Sequence, residues 1–460
     1  MKSGYVTRLA VIASLGGFLF GYDTAVISGT IGFVTGQFTL DTVLEGWYVS
    51  SALVGTIAGV LVAGILSDRF GRKEVLILSG LFFGLSALGC MLSANFNQLV
   101  IYRLIGGVGV GIASMLSPLY ISEIAPAGKR GRLVALYQFA ITIGILFAYF
   151  SNAYLLGLSQ SEALAGNTGL INKIVVAEVW RAMLGSETLP ALTFLVLLFT
   201  VPKSPRWLMM NGQKEMARKV LLRFVDPEEA EKEINDIETN LTKESGGLKM
   251  AFSGGFKVAM IMGIAFAFLT QVSGINAIIY YGPKILEEAG LQIGEALGGQ
   301  VIIGIVNVLF TLIAIWKIDS LGRKTLLLTG VIGIISSLII VGALFYFEIT
   351  NTYLLMVFIL AFIACFAFSY GPVIWVLLSE IYPLRIRGIA MSIATMALWV
   401  GTAFVGQMTP WFLENLKAHG TFWFFAACTL PAVYLTLKVI PETKGKTLEE
   451  IENYWLSKRS

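Results

Sequence analysis

The chain has 460 residues, of which 56% are hydrophobic and 13% charged, with a mean hydropathy of +0.78. Charge this sparse cannot cover a water-facing globule of that size, which argues against a soluble enzyme or binding module and places the chain in lipid. The net charge of +4 does not mark a nucleic-acid partner, because the basic residues lie in short connectors rather than in one patch.

Apolar stretches of about 20 residues recur, long enough to cross a hydrocarbon core roughly 30 Å thick as helices. They lack the alternation of a barrel strand. In chain order, spans are predicted at 7–31, 47–67, 75–94, 98–121, 132–157 and 184–202, and then at 256–289, 297–317, 325–347, 352–380, 387–413 and 420–440. The first run passes through Gly21-Tyr22-Asp23 without a clear small-residue cleavage site, so it reads as a span rather than a cleaved signal peptide. Residues 157–181 read as an external loop of mixed character. The long polar stretch has helical apolar spacing at 215–222 and 228–241, interrupted at Asp226-Pro227, and should form short amphipathic helices under the membrane. The tail at 447–455 reads the same way, with Thr447 as cap and Glu450 three residues on.

The expected fold is therefore an all-α membrane protein of twelve helices. Residues 1–202 form one six-helix bundle, 203–255 a cytoplasmic helical linker, 256–440 a second six-helix bundle and 441–460 a cytoplasmic tail helix. Arg69, Arg72 and Lys73, then Lys129, Arg130 and Arg132, then Lys317, Arg323 and Lys324, then Arg385 and Arg387 occupy alternate connectors, whereas residues 31–46 and 94–98 have no Lys or Arg. The positive-inside rule makes the basic connectors, and both termini, cytoplasmic. Cys90, Cys365 and Cys428 lie inside apolar runs and read as packing residues, and the lone His419 sits in a short connector, so neither a metal nor a cofactor is expected.

The chain also contains itself twice. Ser122-Glu123-Ile124-Ala125-Pro126 returns as Ser379-Glu380-Ile381-Tyr382-Pro383, each within the pattern S-E-I-x-P-x-x-x-R-G, and Asp68-Arg69-Phe70-Gly71-Arg72-Lys73 is echoed by Asp319-Ser320-Leu321-Gly322-Arg323-Lys324. Duplicated halves in so apolar a chain point to a secondary transporter with one substrate site at the repeat interface, near the membrane midplane. The acids and bases Asp68, Arg72, Glu123, Arg130, Asp319, Arg323, Glu380 and Arg387 could pair into a cytoplasmic latch that exists in one conformation only. A plain topology signal would explain the bases but not the repeated Asp and Gly.

Asp23, Arg103 and Glu187, all in the first half, are charges that fall inside the predicted spans. Each costs roughly 2.5–3.5 kcal/mol on insertion scales, so such residues usually face a cavity or a partner. Two acids balanced between desolvation and a neighbouring base can exchange a proton, and a fixed salt bridge that locks helices explains them equally well. Gln138, Gln271, Asn276, Asn307, Trp375 and Trp399 also lie inside spans. Amides both donate and accept, as a polyol requires, and a flat indole covers the C–H face of a sugar ring. Singly, each amide reads better as interhelical glue; together they suggest a site. The run Gly106-Gly107-Val108-Gly109-Val110-Gly111 follows no strand, so close helix packing is expected there rather than dinucleotide binding.

With these residues in place, the chain resembles the sugar porter family of the major facilitator superfamily nearly end to end. The resemblance rests on Gly21-Tyr22-Asp23, the two D-x-x-G-R-K connectors, Ser117-Pro118-Leu119-Tyr120-Ile121-Ser122-Glu123, Ser204-Pro205-Arg206-Trp207-Leu208, Gln271-Val272-Ser273-Gly274-Ile275-Asn276, Gly371-Pro372-Val373-Ile374-Trp375 and Pro441-Glu442-Thr443-Lys444-Gly445. It is nearest to bacterial proton-coupled xylose and hexose symporters, with animal facilitative glucose transporters more distant. It implies that Asp23 accepts the proton, Arg103 is its switching partner and Glu187 a modulator. It further implies that Gln138, Gln271, Asn276, Asn307, Trp375 and Trp399 contact sugar, with Phe20 and Tyr280 as lining aromatics. Departures from the pattern are Thr270 before Gln271, Ile145 in place of a second Gln, Thr402 in place of an Asn and Lys203 in place of a Glu, and they bear on which sugar is bound. The implied protein is a monomer in the plasma membrane, of bacterial inner-membrane type. It would take a neutral monosaccharide, xylose or a hexose such as glucose, together with a proton. A facilitative uniporter is the first alternative, and a non-transporting sugar sensor a weaker one.

Overall fold

The computed structural model describes residues 2–125, 130–161, 169–223, 225–243, 252, 256–349, 351–382, 386–444, 450–451 and 454–455, without the side chains of 2, 3, 130, 240–243, 319, 379, 387 and 388. Every regular element among them is helical. Among the described residues, eleven helical stretches are long and apolar enough to cross a membrane, and the last, Ile389–Val439, has 51 residues. At 1.5 Å per residue it is more than twice as long as a hydrocarbon core of roughly 30 Å is thick. Lys417, at φ 59° and ψ 176°, breaks it in two. The chain is therefore a twelve-span, all-α membrane protein.

Two compact units make up the chain: Met1–Phe38 with Ser51–Glu244, and Thr39–Ser50 with Ser245–Ser460. The first contains α1 (Lys2–Val26), α2 (Ile31–Phe38), most of α3 (Thr42–Phe70), α4 (Arg72–Leu92), α5 (Phe96–Ile124) and α6 (Arg130–Ser159). Its sixth span is the pair α7 (Val179–Gly185) and α8 (Thr188–Leu198). Here α1 packs chiefly on α6, and α4 on α5. In the predicted glycine run, Gly107 lies against the Ala52 carbonyl and Gly111 against that of Thr56, so α5 sits directly on the backbone of α3. The polar stretch folds as α9 (Pro205–Met210), α10 (Lys214–Leu221) and α11 (Pro227–Lys243), broken before Pro227 as its sequence predicts.

The second unit contains α12 (Phe256–Gln271), α13 (Ile275–Glu288), α14 (Ile293–Leu321), α15 (Arg323–Tyr346), α16 (Thr352–Phe368), α17 (Tyr370–Ile381) and α18 (Arg387–Tyr434, split at Lys417). Both α12 and α15 pack on α18. Two of its spans are discontinuous. Gly274, left-handed at φ 88°, separates α12 from α13. Between α16 and α17, Pro372 has no N–H for the carbonyl four residues back, and the break falls at Ser369, at φ −122° and ψ −83°.

Two expectations change. His419 is helical, on the C-terminal piece of α18, rather than in a connector. Residues 157–181 are not a plain loop: they include the end of α6, a π-helical turn at Asn172–Ala177 and the start of α7, with 162–168 outside the described residues. Thr447 is likewise outside them, whereas Trp455 is buried and its Nε1 donates to the Ile381 carbonyl at 3.0 Å.

The repeated D-x-x-G-R-K motif has the same backbone in both units, with Gly71 at φ 103°, ψ 154° and Gly322 at φ 84°, ψ 156°. A Cβ at Gly71 would come 2.7 Å from a Glu74 carboxylate oxygen, and one at Gly322 2.8 Å from a Glu442 oxygen. It is the left-handed backbone at both positions that calls for glycine. Gly71→Ala and Gly322→Ala should each cost roughly 1–3 kcal/mol, read as a lower Tm in detergent; an unchanged Tm in both would reject this account of the motif.

Candidate functional site

The charged cluster of the first unit joins α1, α5 and the α7–α8 turn. Arg103 Nη1 donates to Asp23 Oδ1 at 2.8 Å, and both side chains are buried. Gly106, one turn beyond Arg103, faces Ser86 and Asp23; a Cβ there would meet the Ser86 hydroxyl. Glu187 is 3% exposed, and its Oε1 makes no hydrogen bond among the described residues. The fields of Asp23 and Arg103 both reach it. Beside the two acids, the Tyr22 hydroxyl meets Ser186 Oγ at 2.7 Å, and Ser151 Oγ donates to Ser186 Oγ at 3.2 Å. Two acids and one base without bulk water form a cluster in which one proton more or less changes the local charge balance sharply.

In the second unit Gly274 interrupts the helix between Gln271 and Asn276, and Asn276 Nδ2 donates to Gln271 Oε1 at 2.7 Å. Thr402 Oγ1, from α18, lies 3.1 Å from the same oxygen, and Gln271 Nε2 donates to Thr270 Oγ1 at 3.2 Å. Asn276, Tyr280 and Trp399 are buried; Gln271, Asn307 and Trp375 are half-buried. In the first unit Phe20 and Gln138 are half-buried as well. The side-chain amides of Gln138 and Asn307 make no hydrogen bond among the described residues. A cavity of about 570 Å³ in the second unit is lined by Thr42, Lys284, Glu288, Lys417 and His419 and by none of these amides. Its Lys284 is already paired with Glu45 at 2.7 Å.

A family model described as sugar (and other) transporter matches residues 9–455, which is nearly the whole chain. The chain belongs to the sugar porter family of the major facilitator superfamily. Among its relatives, the arabinose-proton symporter of Bacillus subtilis is 39% identical over 454 residues, covering 98% of this chain and 96% of the relative. The D-xylose-proton symporter of Escherichia coli is 37% identical over 488 residues, covering 99% and 96%. A solved structure of the proton:xylose symporter bound to 6-bromo-6-deoxy-D-glucose matches with a TM-score of 0.83 at 37% identity, over 99% of this chain and 100% of that one.

In this sugar porter each repeated motif forms a clamp inside its own unit. Arg72 Nε donates to both Glu123 oxygens at 3.1 Å, and Arg72 Nη1 to Asp68 at 3.0 Å. Arg323 Nε and Nη2 donate to Glu380 at 3.1 and 2.9 Å. The side chains of Arg130, Asp319 and Arg387, the other members of the expected latch, lie outside the described residues. What sequence reasoning missed is a hydroxyl on each acid: Ser204 Oγ donates to Glu123, and Thr443 Oγ1 donates to Glu380 at 2.5 Å. The available signal was positional, since each hydroxyl sits in the motif that follows the sixth span of its half. Lys73 Nζ reaches the Phe199 carbonyl at 3.1 Å, and Lys324 Nζ that of Leu437 at 2.9 Å, completing the parallel.

Glu442 adds an anchor to the second clamp. Burial would raise its pKa, but the backbone N–H groups of Lys444, Lys324 and Arg323 more than offset this and hold the carboxyl below its usual range. A depressed carboxylate contributes stability above its unfolded pKa and loses it as pH falls through the folded value. Acidification below the ordinary Glu range should therefore lower the Tm of the parent more steeply than that of Glu442→Gln. Parallel pH profiles would remove Glu442 from the stabilising set.

Proposed function

We propose that this sugar porter imports a neutral monosaccharide together with a proton, by alternating access across the plasma membrane, with both termini cytoplasmic. The observation that supports coupling best is the buried Asp23–Arg103 pair with Glu187 in its field. Asp23 accepts the proton, protonation releases Arg103, and Glu187 adjusts the balance. Relatives described as arabinose-, D-xylose- and galactose-proton symporters support the same reading. Gln138, Gln271, Asn276 and Asn307 bind the sugar hydroxyls, Trp375 and Trp399 cover its ring, and Phe20 and Tyr280 line the path. The substrate is a pentose or hexose such as xylose or glucose. An inward-negative potential contributes about 2.3 kcal/mol per proton per 100 mV to uptake.

The deciding experiment uses the purified protein in liposomes containing a pH-sensitive dye, with a panel of monosaccharides added outside. A transported sugar should acidify the lumen and accumulate under an imposed pH difference. Sugar entry with no acidification and no accumulation would make the protein a facilitative uniporter instead.

A further inference from the structure

In the sequence, Thr402 is a departure: it stands in place of an Asn. In the structure its side chain is 3% exposed, and its hydroxyl has two acceptors in reach, the Leu398 carbonyl at 3.0 Å and Gln271 Oε1 at 3.1 Å. The approach is built into the backbone. Gly401 lies against α12, where a Cβ would come 3.1 Å from the Phe268 carbonyl oxygen and 3.2 Å from the Gln271 Cβ. Glycine at 401 makes this approach of α18 easy, and the next residue places a short hydroxyl beside the Gln271 amide. Gln271 Oε1 thus accepts from Asn276 and shares the single Thr402 hydroxyl hydrogen with the Leu398 carbonyl, while Nε2 gives one hydrogen to Thr270. One Nε2 hydrogen is left for an oxygen outside the cluster.

We infer that Thr402 is a positioning residue: it locks the Gln271 amide in one orientation before sugar arrives, and so sets affinity without touching the substrate. A long amide that is free to rotate loses that freedom on binding and weakens the complex, and a pre-held one does not. The inference rests on the reading of Gln271 as a sugar contact, and the experiment separates the two. Sugar affinity by titration calorimetry, and KM and kcat of counterflow, are compared for the parent, Thr402→Val, Thr402→Ala, Thr402→Ser, Gln271→Ala and the Gln271→Ala/Thr402→Val double variant. Thr402→Val and Thr402→Ala, which lose the hydroxyl, should each weaken binding about 5- to 10-fold, seen in Kd and KM with kcat little changed, and Thr402→Ser should restore it. In the Gln271→Ala background, Thr402→Val should shift affinity less than about two-fold, because the group it positions is gone. If Thr402→Val lost the same factor with and without Gln271, or if both hydroxyl-free variants bound as the parent does, the positioning role would be wrong. If Gln271→Ala alone left affinity unchanged, the sugar-contact reading of Gln271 would fall and take this inference with it.

Discussion

Asp23→Asn should abolish proton-driven accumulation of sugar while leaving sugar binding and counterflow in place. Asn mimics the protonated acid in shape and charge, so Arg103 loses the charged partner it now holds at 2.8 Å and the cluster is frozen in its protonated setting. Exchange of sugar for sugar needs no net proton movement and survives. An imposed difference of one pH unit is worth about 1.4 kcal/mol, a tenfold accumulation at one proton per sugar. The variant should instead equilibrate, with an internal-to-external ratio of one. Liposomes loaded with buffer of higher pH than the medium and assayed for labelled sugar give the answer. A variant that still concentrated sugar would exclude Asp23 as the coupling site, and one that lost counterflow too would make the pair a structural lock.

The second large effect is on stability, and it separates the two copies of the clamp. The Arg72 and Glu123 side chains are 5% and 3% exposed, whereas those of Arg323 and Glu380 are 11% and 25% exposed. Removing one partner of a buried pair leaves an uncompensated charge and costs roughly 3–5 kcal/mol. Arg72→Ala should approach that figure, because among the described residues Glu123 then keeps the Ser204 hydroxyl and the field of Arg206 but no ion pair. Arg323→Ala should cost less, since water reaches Glu380 and Thr443 remains bonded to it. Thermal unfolding of both variants in detergent, against the parent, measures the order. Equal losses, or a larger one at Arg323, would mean that burial does not control the strength of these pairs.

The twelve spans were legible because lipid imposes one rule, that backbone polar groups be satisfied within the segment, and composition reports obedience to it directly. Helix interruptions were less so. Pro372 is a local signal for the break at Ser369, but Gly274 is one glycine among many, and only its φ of 88° shows that the chain turns there. The same distinction runs through the site. Asp23, Arg103 and Glu187 could be chosen from sequence because charges at membrane depth are costly and therefore rare. That Asp23 and Arg103 meet at 2.8 Å while Glu187 Oε1 has no hydrogen bond among the described residues is a property of helix rotation, which charge alone does not encode.

By itself, the sequence determined the class of protein, the family, the duplication and the short set of polar residues that lipid would not tolerate without a purpose. Those features are local or periodic, and each residue carries its share of the signal. The tertiary structure decided which of them act together. Ser204 bonds Glu123 across 81 residues, Thr443 bonds Glu380 across 63, and Thr402 reaches Gln271 across 131. Such contacts depend on which helix faces meet and how closely, as at Gly401 against α12. That distance is set by the packing of whole helices, and no window of sequence contains it.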